Sequence, residues 1–312
     1  MTEESYGGLL SFLFMVLVNL LGVAFLTLLE RKILGFIQIR KGPNKVGFSG
    51  ILQPFSDAIK LFTKELSWIY KSNYMGFYLC PMFSFGLVYT GWMLLPYLMV
   101  VFNYMFGLVF FMVCLSLSVY GVMIAGWTSN SIYSLIGGLR AVAQMISYEV
   151  SMCFIFLSLF IMIKSYSFID FYFYQKFCWF MFILYPFMKM FFISILAETN
   201  RVPFDFAESE SELVSGYNTE YGGGSFSIVF LGEYSSILFM SLFLSVIFLG
   251  NDFFDLSFIY LVCLIVFMFI WVRGSLPRLR YDKLMDLCWK SILPVCLFLM
   301  MFYFGVNKFY MV

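Results

Sequence analysis

The sequence predicts an all-α integral membrane protein with about eight transmembrane helices and an amphipathic interfacial helix in its first long loop. Three observations lead there. Apolar residues make up 62% of the chain and charged residues 12%, about half the charged share of a soluble domain. Apolar runs of about 20 residues recur, each long enough as a helix to cross roughly 30 Å of hydrocarbon. The runs are apolar on every side and lack the alternating polarity of barrel strands, so helices are expected rather than a β-barrel.

In chain order the spans are expected at 7–29, 75–100, 104–125, 138–163, 177–197, 225–250, 257–273 and 289–309, forming one transmembrane domain over 1–312. The acidic start MTEESYGG lacks the basic stretch of a signal peptide and the Arg-rich pattern of a transit peptide, so the first span is expected to be retained. There is no His, and the seven Cys are scattered without a CxxC pair. That spacing argues against a zinc, iron–sulfur or haem site built by this chain alone, and no metal is expected.

Fifteen of the nineteen Lys and Arg fall in the first, third, fifth and seventh loops. Lys164, Lys176 and Lys308 lie on the opposite side, and Lys189 falls within the fifth span. By the positive-inside rule the odd loops face the cytoplasm or its organellar equivalent, the matrix, and both termini face away.

Two of these loops are unusual. The loop 31–73 opens with the turn signal Lys41-Gly42-Pro43-Asn44. Phe55, Ala58, Ile59, Phe62 and Leu66 then follow at helical spacing on one stripe, with Asp57, Lys60 and Lys64 expected opposite. This is the pattern of an amphipathic helix lying in the membrane interface, docked on a partner protein, or both. The loop 198–224 carries six acids, Glu198, Asp205, Glu208, Glu210, Glu212 and Glu220, against one base, Arg201. Its interleaved Pro203, Phe204, Phe206, Leu213, Val214 and Tyr217 imply a packed segment rather than a solvated tail.

Charges at membrane depth cost several kcal/mol and are functional candidates by default. Counting 1.5 Å per residue places Glu149 about 16 Å and Glu233 about 12 Å into their spans from the positive side. The helical neighbours of Glu149 (Val142, Met145, Ile146, Met152, Cys153 and Phe156) cannot neutralise a carboxylate. A carboxyl so placed suits a proton relay; the bland alternative is a protonated acid hydrogen-bonded to a neighbouring helix. Lys189 either pairs with Glu149 or Glu233, lines a wet cavity, or faces lipid and snorkels beside a kink at Pro186.

The stretches LLERKILGFIQIRKGPNKVG (28–47), QPFSDAIKLFTKE (53–65), GLRAVAQMISYEVS (138–151), LAETNRVPFDFAESESELVSGYNTEY (196–221) and WVRGSLPRLRYDKLM (271–285) resemble, in order, the family of quinone-channel membrane subunits of NADH:ubiquinone oxidoreductase, respiratory complex I. The departures are Ser209 where the family usually has Gly, Val202 where Thr is common, and Lys189 where an apolar residue is expected. The resemblance implies a multi-pass protein of the mitochondrial inner membrane, part of the proton-translocating NADH:ubiquinone reductase, with no complete active site of its own. It implies ubiquinone as substrate and no cofactor on this chain, FMN and iron–sulfur clusters belonging to partner subunits. The implied partners are the peripheral-arm quinone-site subunits, on which loops 31–73 and 198–224 would dock, neighbouring membrane-arm subunits and membrane lipid; nucleic acid is not among them.

By the same resemblance, the quinone-channel residues fall on Glu30, Arg31, Arg40, Phe55, Asp57, Phe62, Arg201 and Arg278. The proton-relay and coupling residues fall on Arg140, Glu149, Glu198, Asp205, Glu208, Glu210, Glu212, Glu220 and Glu233. A secondary transporter or ion-channel subunit is the alternative that also accounts for midplane charges, but the inverted repeats usual in transporters are not visible. A purely structural membrane scaffold has no use for Glu149 and Glu233.

The charge asymmetry yields a direct expectation. Protease added to oriented vesicles should cut both termini from one side and the loops 31–73 and 198–224 from the other. Cleavage of a terminus and either loop from the same side would overturn this topology.

Overall fold

The computed structural model describes residues 2–65, 69–95, 105–207, 215–250 and 255–309. Their regular structure is entirely helical. Helix α1 spans Thr2–Ile37, α2 Gln53–Thr63, α3 Tyr74–Trp92, α4 Gly107–Thr128, α5 Ile132–Ile163, α6 Phe168–Tyr174, α7 Phe180–Ile183, α8 Tyr185–Glu198, α9 Gly223–Leu249, α10 Leu256–Ser275 and α11 Tyr281–Phe309. Among the described residues, six helices are long and apolar enough to cross a membrane: α1, α4, α5, α9, α10 and α11.

The other two expected spans take different forms. The run expected at 75–100 is represented by α3, which carries Pro81 in its interior. The run expected at 177–197 is split, because the chain leaves helical geometry at Leu184 and resumes with Pro186 in the first turn of α8. A proline there lacks the N–H that would continue the preceding turn and is favoured at a helix start. Several other helices outrun the expected boundaries. Helix α1 continues to Ile37, so Arg31 and Lys32 sit on its last turns and not in a loop. Helix α5 begins at Ile132, after Ser131 accepts a hydrogen bond from the Ser134 amide. Helix α11 begins at Tyr281 and widens to a π turn over Leu287–Ile292, just before Pro294. The proline cannot donate to the carbonyl one turn back, and a widened turn relieves its ring.

Packing among helices in lipid has no bulk hydrophobic drive, so close contact must supply the stability. The core is accordingly built from rings. Phe111 of α4 meets Phe243 of α9 at 4.0 Å between centroids. Phe156 of α5 meets Phe191 of α8 at 5.5 Å, and Phe111 at 5.7 Å. Where helices must come closer, glycine takes over: a Cβ on Gly138 of α5 would lie 3.3 Å from Gly126 Cα on α4.

The loops after the first, third, fifth and seventh expected spans gather at one end. The Leu279 amide donates to Pro203 O at 3.1 Å. A Cβ on Gly137 would fall 2.8 Å from Gly216 Cα. Gly223 opens α9 in the left-handed region (φ 60°), and a Cβ there would come 3.2 Å from Glu65 O beyond α2. The segment 198–207 is held to the bundle by Gln144 of α5, fully buried, whose Nε2 donates to Ala197 O at 2.8 Å and Phe204 O at 2.9 Å. The expected packed character of this loop is therefore present in its described part; Leu213 and Val214 lie outside the described residues.

Replacing Gln144 by Leu removes a side-chain donor from Ala197 O and from Phe204 O, which keep the Asn200 and Phe206 amides, a loss of about 0.5–1.5 kcal/mol per hydrogen bond. Segment 198–207 of Gln144→Leu should exchange its amide hydrogens faster while α4 and α9 keep native protection. Unchanged exchange in the segment would refute the clamp.

Candidate functional site

The polar residues at the loop end form a line, built from helix termini inward. At its outer end, Arg31 on the last turns of α1 pairs with Asp57 of α2 at 2.5 Å, and Gln53 donates to the same carboxylate at 3.0 Å. Asp57 thus faces the bundle. Lys60 and Lys64 are exposed, whereas Asp57 is half-buried in its pair with Arg31. The stripe of Phe55, Ala58, Ile59 and Phe62 stays exposed, with Phe55 meeting Phe25 edge-on at 6.1 Å. Arg40 is exposed beyond the end of α1.

One residue along α1, Glu30 points the other way and is only 6% exposed. It is ion-paired with Arg273 at the end of α10 and accepts a hydrogen bond from the Tyr234 hydroxyl at 2.7 Å. Tyr234 belongs to α9, and its ring carries the Arg201 guanidinium at 4.3 Å. Arg201 reaches Glu233 at 3.8 Å, and the Tyr217 hydroxyl donates to Glu233 at 2.6 Å. A run from Glu30 through Tyr234 and Arg201 to Glu233 is therefore continuous across α1, α9, α10 and the loop after α8.

Glu233 in turn lines a cavity of about 130 Å³ between α3, α4 and α9. Glu198, the last residue of α8, lines the same cavity and accepts from Ser118 of α4 at 3.3 Å. Ser84, Asn200 and Ser236 add polar atoms to walls that are otherwise apolar. The space suits about four water molecules, and the hydroxyls and carboxylates offer them partners. Glu149, half-buried on α5, lies within electrostatic range of Glu198. The charged neighbours of Glu233 are instead Arg201 and Asp205. Similar depth in sequence thus did not make Glu149 and Glu233 partners; Glu198 lies between the two roles.

The remaining expected residues surround this line. Asp205, buried, pairs with Arg278 at 3.5 Å. The Arg140 guanidinium sits 6.0 Å from the ring centroid of Tyr281. Glu220 is half-buried in the turn before α9. Glu208, Glu210 and Glu212 lie outside the described residues. Of the placements open to Lys189, the structure shows the outward one: it is exposed on α8, its ammonium 4.3 Å from the Tyr185 ring centroid.

Sequence reasoning missed Tyr234, Tyr217, Arg273, Ser118 and Gln144 as parts of the site. For Arg273 a signal existed, since it and Glu30 end the seventh and first spans at the same level. A tyrosine or serine in an apolar run carries no comparable mark. Among the described residues no cluster of three His, Cys, Asp or Glu is placed to hold a metal ion.

A polytopic helical membrane protein with an internal line of paired carboxylates, guanidinium groups and phenols, opening on a small, mostly apolar cavity that holds two carboxylates, is the class this fold and site define. The chain belongs to the NADH dehydrogenase family, whose match covers residues 10–304. It is 57% identical over 302 residues to NADH-ubiquinone oxidoreductase chain 1 of Anopheles gambiae, covering 97% of this chain and 96% of that one. It is 54% identical over 307 residues to the protein of the same name from Locusta migratoria, covering 98% of each. With that of the whale Balaenoptera physalus it shares 46% over 305 residues, 96% of each chain.

Arg273→Met leaves the buried Glu30 without its cation, a loss of about 3–5 kcal/mol when one member of a buried pair is removed. The variant should melt well below the native protein, and Glu30→Gln with Arg273→Met should recover most of the difference. An Arg273→Met protein as stable as the native one would show that the pair contributes nothing.

Proposed function

We propose that this chain is the core membrane subunit of the proton-translocating NADH:ubiquinone reductase in the mitochondrial inner membrane, forming the ubiquinone access channel and the acidic relay that couples quinone reduction to proton movement. The observation that carries the reading is the line from Glu30 through Tyr234, Arg201 and Glu233 to the cavity shared with Glu198. Beside its Glu30 end, the next residue of α1, Arg31, pairs with Asp57 of α2, the helix that carries the exposed apolar stripe. At the other it reaches Glu149 on a spanning helix.

The chemistry follows from charge. A quinone that gains two electrons must take up two protons to become the quinol, and before it does so it carries negative charge. Phe55 and Phe62, outward on α2, offer a surface for its apolar parts, with Arg31, Arg40 and Asp57 at the polar rim. Arg201, Arg278 and their paired acids feel the change in field, which the low dielectric of the bundle screens weakly. Arg201 lies against both Tyr234 and Glu233, so a small shift of its guanidinium alters the field at both. Protons then pass between Glu233, Glu198 and Glu149 through hydroxyls and water in the cavity, toward the other membrane subunits. The acids of 205–220 and Arg140 set the potential at the mouth of the line. FMN and iron–sulfur clusters in partner subunits supply the electrons.

Two outcomes test this. A photoreactive quinone should label this chain within 30–70 or 198–235; labelling confined to other subunits at saturating probe would count heavily against the channel. Glu149→Gln and Glu233→Gln keep shape and most hydrogen bonding but cannot ionise. Each should assemble normally yet lose quinone-linked proton uptake by about a hundredfold or more, the scale of a removed proton-transfer group, while Asp at either position retains part. Full proton uptake in both Gln variants would end the relay reading.

A further inference from the structure

Lys189 is an ionisable residue inside a predicted span that the line above does not use. It lies on α8, five residues after the break at Leu184 and nine before Glu198. Phe187, Met190 and Phe191 of the same helix are buried in the core, so α8 has one packed face. Lys189 is on the other, with Tyr185, 48% exposed; Phe182 of α7, just before the break, is 68% exposed. Among the described residues no carboxylate is ion-paired with it; the ammonium rests over the Tyr185 ring at 4.3 Å.

An outward ammonium in a membrane is neutralised by a lipid phosphate or by an acid on a neighbouring protein, and depth separates the two. The Tyr303 hydroxyl donates to Ile183 O at 2.9 Å, which sets the start of α8 level with that part of α11. Tyr303 stands six residues before the end of α11 at Phe309, about 9 Å at 1.5 Å per residue. Tyr185, and the ammonium over it, lie two residues deeper than Ile183, about 3 Å more. The lysine stem already points back one turn toward that end, the direction in which it would snorkel, and leaves the charge about 12 Å below the end of α11. An unpaired charge that far inside a spanning bundle is strongly disfavoured.

We propose that Lys189 is a docking cation, paired with an Asp or Glu on a transmembrane helix of a neighbouring membrane subunit that lies against the open face of α8. The inference rests on this chain being one subunit of a membrane assembly, and not on the quinone channel or the relay. The exposed Phe182 and Tyr185 supply the apolar and aromatic contact that would keep the pair dry.

The two possible counter-charges predict opposite effects of removing the lysine. If an acid of a partner faces Lys189, Lys189→Met leaves that acid buried and unpaired. The assembly should then weaken by about tenfold or more in association constant, the size of a small fraction of such a loss, and Lys189→Arg should restore it. If lipid faces it, Lys189→Met removes a charge from hydrocarbon and assembly is unchanged or tighter. A hydrophobic carbodiimide applied to the intact complex should also join the Lys189 amine to a carboxylate of another membrane subunit. Peptide mapping should locate that amide, and Lys189→Met should abolish it. Absence of the inter-subunit amide overturns the proposal, as does a Lys189→Met complex that holds together as tightly as the native one. Finding the chain outside any flavin-containing assembly would sink the proposed function itself, whereas an intact assembly with a lipid-facing Lys189 sinks only this inference.

Discussion

A carboxylate placed among apolar helices must find its partners inside the protein, and much of this structure follows from that. Glu30 is one residue from Arg31 on the same helix, yet the two face opposite ways, each toward a different counter-charge. Arg273 and Tyr234 come from helices far away in sequence to meet Glu30. Breaking the contacts of Glu30 leaves a desolvated charge, so the positions of α1, α9 and α10 relative to one another are tied to the carboxylate they bury.

The rest of the bundle supplies what the charges require, a dry and closely packed surround. Rings of α4, α5, α8 and α9 fill the centre, and glycine contacts such as Gly126 with Gly138 bring α4 and α5 near. Against that rigid packing the small cavity between α3, α4 and α9 stands out. Its polar atoms are few and converge on two carboxylates, Glu198 and Glu233. Low dielectric around it strengthens every charge interaction along the line.

Helices broken or widened by proline add local freedom to this frame. The break at Leu184 and the π turn before Pro294 both occur where a proline removes a backbone donor. Lys189, five residues after the break, is exposed while its neighbours Phe187 and Met190 are buried.

The sequence by itself determined the class of protein, the positions of most spans, the amphipathic stripe of α2 and the acids worth attention. Those features are local: a run of apolar residues, a helical spacing, a charge where none is cheap. It also marked the loop 198–224 as packed, because Phe204 and Phe206 alternate with its acids. Tertiary structure alone decided who meets whom. Depth counting put Glu149 and Glu233 at one level, but rotation about each helix axis gave Glu198 to Glu149, and Arg201 with Tyr217 to Glu233. Spacing put Asp57 opposite the apolar stripe of α2, but its partner Arg31, 26 residues away, was not legible there. Tyr234, the joint of the line, looks in sequence like any aromatic in a span. Its role exists only because α1, α9 and the loop after α8 converge on it, and convergence of distant segments is set by the packing of the whole bundle, which no local pattern encodes.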